Sequence, residues 1–204
     1  MIAIIDYGAG NLRSVSNAID HLGFKATVTS QADEILAAEA VIFPGVGAAG
    51  DTMDSLERLG LTQVILRLAA ENRPLLGICL GLQVLLTGSQ EGGWRECLGI
   101  ISGKVKKLPE GLKIPHMGWN QVRQLRAHSI FEGIPDGSNF YFVHSYFADL
   151  VDKSAVIGQT DYGVSFCSVL AKGNLVATQF HPEKSGELGL RIYDNFIRQA
   201  GVAK

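Results

Sequence analysis

Cys79 stands between two glycines, Gly77 and Gly81, in the run Leu76-Gly77-Ile78-Cys79-Leu80-Gly81. A thiol in a Gly-x-Cys-x-Gly frame behind an apolar stretch has the form of a nucleophile elbow, where a strand turns sharply into a helix. Glycine lacks the Cβ that would crowd such a turn. The thiol then emerges at the strand's carboxyl end and at a helix N-terminus, where free N–H groups and the dipole favour thiolate. The N–H of Leu80 is placed to face an oxyanion. An isolated cysteine would read as a packed core residue, because free Cys is among the most buried residue types. The glycine frame reverses that preference.

A thiol nucleophile needs a base to take its proton and return it to a leaving amine, and the base needs a carboxylate to orient it. Gln179-Phe180-His181-Pro182-Glu183 offers both. If the apolar strand ending there continues, His181 and Glu183 lie on alternate positions and point the same way, with Pro182 stiffening the link. Alone, the pair would be a strand-end His beside a solvated Glu. A third segment, Phe43-Pro44-Gly45-Val46-Gly47, is a Gly-rich loop behind a parallel strand, where open α/β sheets place their sites. Its backbone N–H groups could complete an oxyanion hole, although a plain turn explains the segment equally well.

These residues need elements to hold them. Ile2–Asp6, Ala26–Thr29, Val41–Phe43 and Pro74–Ile78 read as short buried strands. Helical patterns alternate with them: Val15, Ala18, Ile19 and Leu22 before the stop at Gly23, then Ala32–Glu39, then Leu61, Val64, Ile65 and Leu68, then Leu80–Leu86. Alternation predicts a parallel sheet covered on both faces. In the second half, Ile101–Leu108, Trp119–Leu125, Phe140–Ala148, Ala155–Gln159, Ser165–Leu170 and Leu175–Phe180 read as strands, with a hairpin turn at Lys172-Gly173-Asn174. A closing helix carries Leu190, Tyr193 and Ile197 on one face. The expected fold is one α/β domain over residues 1–204, its mostly parallel central sheet flanked by helices and extended by antiparallel strands from the second half.

Composition excludes several classes. The chain has 204 residues with a formal net charge of −2, so no basic footprint points to nucleic acid. No apolar run is long enough to span a membrane, and Met1–Asp6 lacks the basic lead of a signal peptide. The three cysteines form no Cys-x-x-Cys pair, which fits free thiols in a reducing, cytoplasmic compartment. His21, His116, His128 and His144 are scattered, so no metal site is expected. Cys97 and Cys167 have no elbow and read as bystanders. Gly8-Ala9-Gly10 is followed by Arg13 where a dinucleotide fingerprint wants glycine, and no Walker-type loop occurs. Pro115-His116-Met117-Gly118-Trp119-Asn120 reads either as a strand start with an amphipathic Trp or as an exposed partner surface.

Together, the Phe43–Gly47 loop, Gly77-Ile78-Cys79-Leu80-Gly81-Leu82-Gln83 and Gln179–Glu183 resemble the signatures of class I, triad-type glutamine amidotransferases, in the same order and over nearly the whole chain. Asp6–Leu12, Pro115–Asn120, Val143-His144-Ser145-Tyr146 and His181–Ser185 are most similar to the branch that serves histidine biosynthesis. The resemblance implies a glutaminase without a cofactor. Cys79 would be the nucleophile, His181 the base and Glu183 its orienting carboxylate, with the N–H groups of Val46 and Leu80 as oxyanion hole. Gly47, Gln83, Glu91, Ser145 and Tyr146 would hold L-glutamine. Ammonia would pass to a barrel-shaped cyclase subunit in a 1:1 heterodimer, contacted through Asn11, Trp119, Tyr141 and Lys184. Neither nucleic acid nor membrane would be a partner. Three other readings stay open: an amidotransferase subunit of another pathway, such as the anthranilate or pyridoxal phosphate branch; a stand-alone cysteine hydrolase or peptidase; and a non-catalytic flavodoxin-like module. Partner identity separates the first, activity without a partner the second, and indifference to Cys79 alkylation the third.

Overall fold

The computed structural model describes residues 1–204. Its first half alternates β1 (Ile2–Ile5), α1 (Leu12–His21), β2 (Ala26–Thr29), α2 (Ala32–Ala37), β3 (Ala40–Gly45), α3 (Ala49–Arg58), α4 (Leu61–Ala70), β4 (Leu75–Cys79) and the single turn α5 (Leu80–Gln83). The second half is strand-rich: β5 (Leu86–Ser89), β6 (Arg95–Glu96), β7 (Ile101–Lys107), β8 (His116–Gln124), β9 (Ser138–His144), β10 (Tyr146–Leu150), β11 (Val156–Asp161), β12 (Ser165–Lys172) and β13 (Leu175–Thr178), before α6 (Gly186–Gln199). The strands form one sheet in the order β2-β1-β3-β4-β13-β12-β10-β7-β5-β6, and β11, β8 and β9 continue from β12 as a branch. Pairing is parallel from β2 through β13 and mainly antiparallel beyond. The parallel part is the sheet expected from the alternation, and the antiparallel extension is the one expected from the strand-rich second half.

All four residues of β1 are buried because both faces of the sheet are covered. Ala3 and Ile5 join Met53, Leu56, Val64, Ile65 and Leu68 of α3 and α4. Ile2 and Ile4 join Val15 and Ile19 of α1 and Ile192, Phe196 and Ile197 of α6 on the opposite face. The period of two along a strand thus divides each parallel strand between two cores. Leu190 of α6 is only half-buried, while Tyr193 and Ile197 are fully so.

Several elements depart from their expected bounds. Helix α3 has no counterpart in the pattern reading. Its buried positions are Ala49, Thr52, Met53 and Leu56, correctly spaced but too small and polar to announce a helix. β3 runs on through Pro44 and Gly45, with Gly45 opposite Cys79. Val41 N–H points to Pro74 O of the β4 side, so the donor missing at Pro44 faces β1, whose pairing has already ended at Ile42. The helix expected over Leu80–Leu86 stops at Gln83. That run is apolar throughout and suits either element, and pairing with Ile101 of β7 takes Leu86 into a strand. Phe140–Ala148 is two strands, β9 and β10, separated by Ser145. β8 begins three residues before Trp119, at His116, and α2 ends at Ala37 rather than Glu39. No helix is long and apolar enough to cross a membrane.

Candidate active site

The site is built where β4 and β13 lie side by side. Thr178 pairs with Ile78, so the residues that follow each strand emerge together. Cys79 ends β4 with φ 54° and ψ −103°, a region that residues with a Cβ enter only under local strain. Three glycines make the elbow sterically feasible. A Cβ on Gly81 would lie 2.2 Å from the Phe43 carbonyl oxygen, one on Gly45 2.7 Å from the Gly81 nitrogen, and one on Gly77 3.1 Å from Ala177 Cβ. Gly81→Ala is therefore expected to destabilise the fold by about 2–4 kcal/mol through backbone overpacking. Denaturant midpoints measure it, and an unchanged midpoint would mean that the elbow opens freely.

His181 does not lie on a continuing strand. β13 ends at Thr178, and Pro182–Lys184 forms a 3-10 turn that follows His181. Proline at the first position of that turn has the required φ and needs no N–H partner. The backbone is clamped to β9: His181 N–H donates to Tyr141 O at 3.0 Å. Ser185 Oγ donates to His181 O at 2.7 Å and accepts from Tyr141 N–H at 2.9 Å. The curl of the turn, not strand alternation, brings Glu183 Oε1 to 2.8 Å from His181 Nδ1. Tyr193 of α6 donates to the other carboxylate oxygen at 3.4 Å. Both His181 and Glu183 side chains are almost wholly buried, at 2% and 1% exposure.

His181 Nε2 is buried without a hydrogen bond in the chain and is turned toward Cys79. Burial alone would lower the imidazole pKa, but the Cys79 sulfur and the Glu183 carboxylate outweigh it and raise it to about 10. Gln179 Nε2 lies 3.6 Å from Cys79 Sγ, and the Val143 carbonyl lies 4.0 Å from it. Neither contact was foreseen. The signal for Gln179 was its place two residues before the histidine at the end of a buried strand.

Cys79, His181 and Lys184 line a cavity of about 380 Å³ with Val46, Gly47, Leu80, Gln83, Glu91, Ser145 and Tyr146. The structure thus brings every expected glutamine and oxyanion residue to one place. A larger cavity of about 530 Å³, lined by Ile101, Arg126, His128 and Lys172 among others, holds none of these side chains and lies by the end of β12. Gln83 Nε2 is already committed to Tyr146 O at 2.8 Å and Gln179 Oε1 at 3.1 Å, which leaves its Oε1 for a ligand. Glu91 Oε2 accepts from Ala49 N–H at 2.8 Å, so one of its oxygens caps the start of α3. Gly47 takes φ 103°, which a residue with a Cβ rarely adopts. Leu80 is the first residue of α5, and a helix start leaves such N–H groups unpaired. With one turn only, α5 contributes less dipole than a longer helix would. Beneath Val46, burial pushes the Tyr7 phenol up to about 12, against Thr52 and the Val46 backbone, which pull it down.

Trp119 of β8 is 58% exposed and stands edge-on to Tyr141 of β9, with ring centroids 6.1 Å apart. Asn11 precedes α1 and makes no side-chain cap. Lys184 sits at the cavity mouth, exposed. Met117 beside Trp119 is 60% exposed and extends this apolar face. No cluster of His, Cys, Asp or Glu could hold a metal ion.

The model of the family "Glutamine amidotransferase class-I" matches residues 3–200. Imidazole glycerol phosphate synthase subunit HisH of Dehalococcoides mccartyi (strain CBDB1) is 56% identical, covering 98% of each chain. The subunit of the same name from Moorella thermoacetica is 51% identical over 99% of this chain and 98% of its own. Among solved structures, a glutamine amidotransferase shares the fold with a TM-score of 0.78 at 19% identity, covering 99% of this chain and 100% of its own. A chain of PurLQS from Thermotoga maritima has a TM-score of 0.77 at 18% identity, covering 97% of each.

Proposed function

The chain belongs to the class I glutamine amidotransferases, and we propose that it is the glutaminase subunit of an imidazole glycerol phosphate synthase in histidine biosynthesis. The observation that carries the chemistry is the thiol on a strained elbow facing an imidazole that is itself held by a buried carboxylate. Identity above 50% over the full chain to subunits named HisH supports the pathway.

Cys79 gives its proton to His181, and its sulfur attacks the side-chain amide carbon of glutamine. The carbonyl electrons move onto oxygen, which the N–H groups of Leu80 and Val46 stabilise. As the carbonyl re-forms, the C–N bond breaks and His181 protonates the leaving ammonia. Water, deprotonated by His181, then attacks the thioester; glutamate leaves and the thiol is restored. Glu183 holds the imidazole in the tautomer that turns Nε2 to the sulfur. Gly47, Gln83, Glu91, Ser145 and Tyr146 hold the substrate. The reaction needs no cofactor or metal.

The partner is a barrel-shaped cyclase subunit in a 1:1 complex, docked over Asn11, Trp119, Tyr141 and Lys184. Delivery across that contact keeps ammonia from becoming ammonium in water. The test is glutamate release by this chain with the cyclase and its nucleotide substrate, against controls without the cyclase. Release only in the full mixture supports both chemistry and partner; release at an equal rate by the chain alone overturns the need for a partner. Trp119→Ala is expected to lower cyclase-dependent activation about tenfold. Its melting temperature should hardly move, because an exposed side chain contributes within about 0.5 kcal/mol. A collapse in melting temperature would return Trp119 to a core role.

A further inference from the structure

The buried imidazoles of His116 and His144 take no part in the chemistry above, yet His144 lines the substrate cavity and His116, on β8, joins it to the strand that carries Trp119. His116 Nδ1 is 2.9 Å from His144 Nε2, and His144 Nδ1 is 2.9 Å from the Tyr146 carbonyl oxygen. At the other end, Asn120 Nδ2 is 3.3 Å from His116 Nε2.

Both ends of this chain have a defined polarity. A carbonyl oxygen only accepts, so His144 Nδ1 must carry hydrogen. The Asn120 amide is fixed twice: its Oδ1 accepts from Gln121 N–H at 2.8 Å, and its Nδ2 donates to Asp161 O at 3.0 Å. The remaining Nδ2 hydrogen therefore points at His116 Nε2, which must accept. The one arrangement that satisfies every contact is donation from Asn120 to His116, from His116 to His144, and from His144 to Tyr146 O. A proton added to either ring would set two donors face to face.

The surroundings agree. His116 is 3% exposed, stacked between Tyr162 at 3.9 Å and Phe142 at 5.0 Å. The groups that act on His144 besides its hydrogen bond are His116 and His181, and no carboxylate acts on either ring. Burial lowers both, His144 to about 4. The acceptor at the end of the relay is the same Tyr146 oxygen that receives Gln83 Nε2. It lies in the corner between β9 and β10 whose Ser145 and Tyr146 line the cavity.

We propose that His116 and His144 are positioning residues, a one-directional neutral relay that fixes the Ser145–Tyr146 corner of the glutamine pocket against the strand carrying Trp119. The role assigned to that corner rests on the glutaminase reading; the relay itself does not. Two measurements test it. Histidine 15N spectra of the full chain should show both rings as neutral Nδ1–H tautomers across about pH 6 to 8. An Nε2–H tautomer or an imidazolium at either ring overturns the relay, whether or not the chain turns over glutamine.

The second measurement compares His116→Leu with His116→Asn in the cyclase complex. Asn places a donor near the Nδ1 position; Leu fills the space without one. His116→Leu should raise KM for glutamine about tenfold with kcat within about threefold, and His116→Asn should recover most of the loss. Equal KM values for Leu and wild type, or an Asn variant as impaired as Leu, overturn the positioning role. A wild-type complex that releases no glutamate overturns the glutaminase reading instead, and the tautomers then decide the relay alone.

Discussion

Cys79→Ala is expected to lower glutamine-dependent synthesis by at least about 10³-fold while leaving synthesis from added ammonia within about twofold of wild type. The first effect follows because no other thiol can replace it. Cys167 is buried, which pushes its pKa up to about 12, and burial raises Cys97 to about 11. The second follows because alanine retains the Cβ at the strained elbow, so the turn between β4 and α5 and the surface presented to the cyclase stay as they are. Both rates are read on one complex, by glutamate release and by product formed from ammonium. Loss of the ammonia-fed rate as well would mean that Cys79 serves folding or docking rather than thioester chemistry. Retention of the glutamine-fed rate would remove the nucleophile from the site altogether.

His181→Ala is expected to cost about as much as loss of the thiol, and Glu183→Ala about 10²-fold less than His181→Ala. The imidazole moves the proton in each half-reaction. The carboxylate only holds it, through a single contact at Nδ1. Its removal also has a signed pH effect. Glu183 is one of the groups holding the His181 pKa up, so without it that pKa falls. The imidazolium that protonates the departing ammonia is then lost at lower pH, and the alkaline limb of kcat/KM moves down. The carboxylate is buried and also receives the Tyr193 hydroxyl, so melting curves must accompany the kinetics to separate chemistry from packing. Equal losses in two folded variants, or an unmoved alkaline limb, would overturn this ranking.

Local sequence determined the parts of this site whose cause is local. Glycines two before and two after Cys79 foretold the elbow because crowding at a sharp turn is a short-range steric matter, and Gly81 meets Phe43 as that argument requires. The fully apolar β1 and β4 foretold strands covered on both faces, whereas the Pro115–Asn120 run allowed either a strand start or an exposed surface, and the structure shows both, with Trp119 exposed on β8. The tertiary structure decided what depends on neighbours far along the chain. Leu80–Leu86 carries no period to separate helix from strand, and pairing with β7 cut it after one turn. His181 and Glu183 were matched by type, but a proline-led turn clamped to Tyr141 faces them together. The decisive step is the insertion of β13 beside β4, which brings Gln179 and His181 to a thiol about a hundred residues earlier. No local pattern encodes that choice, because strand order is set by which apolar faces can be buried together once the whole sheet has formed.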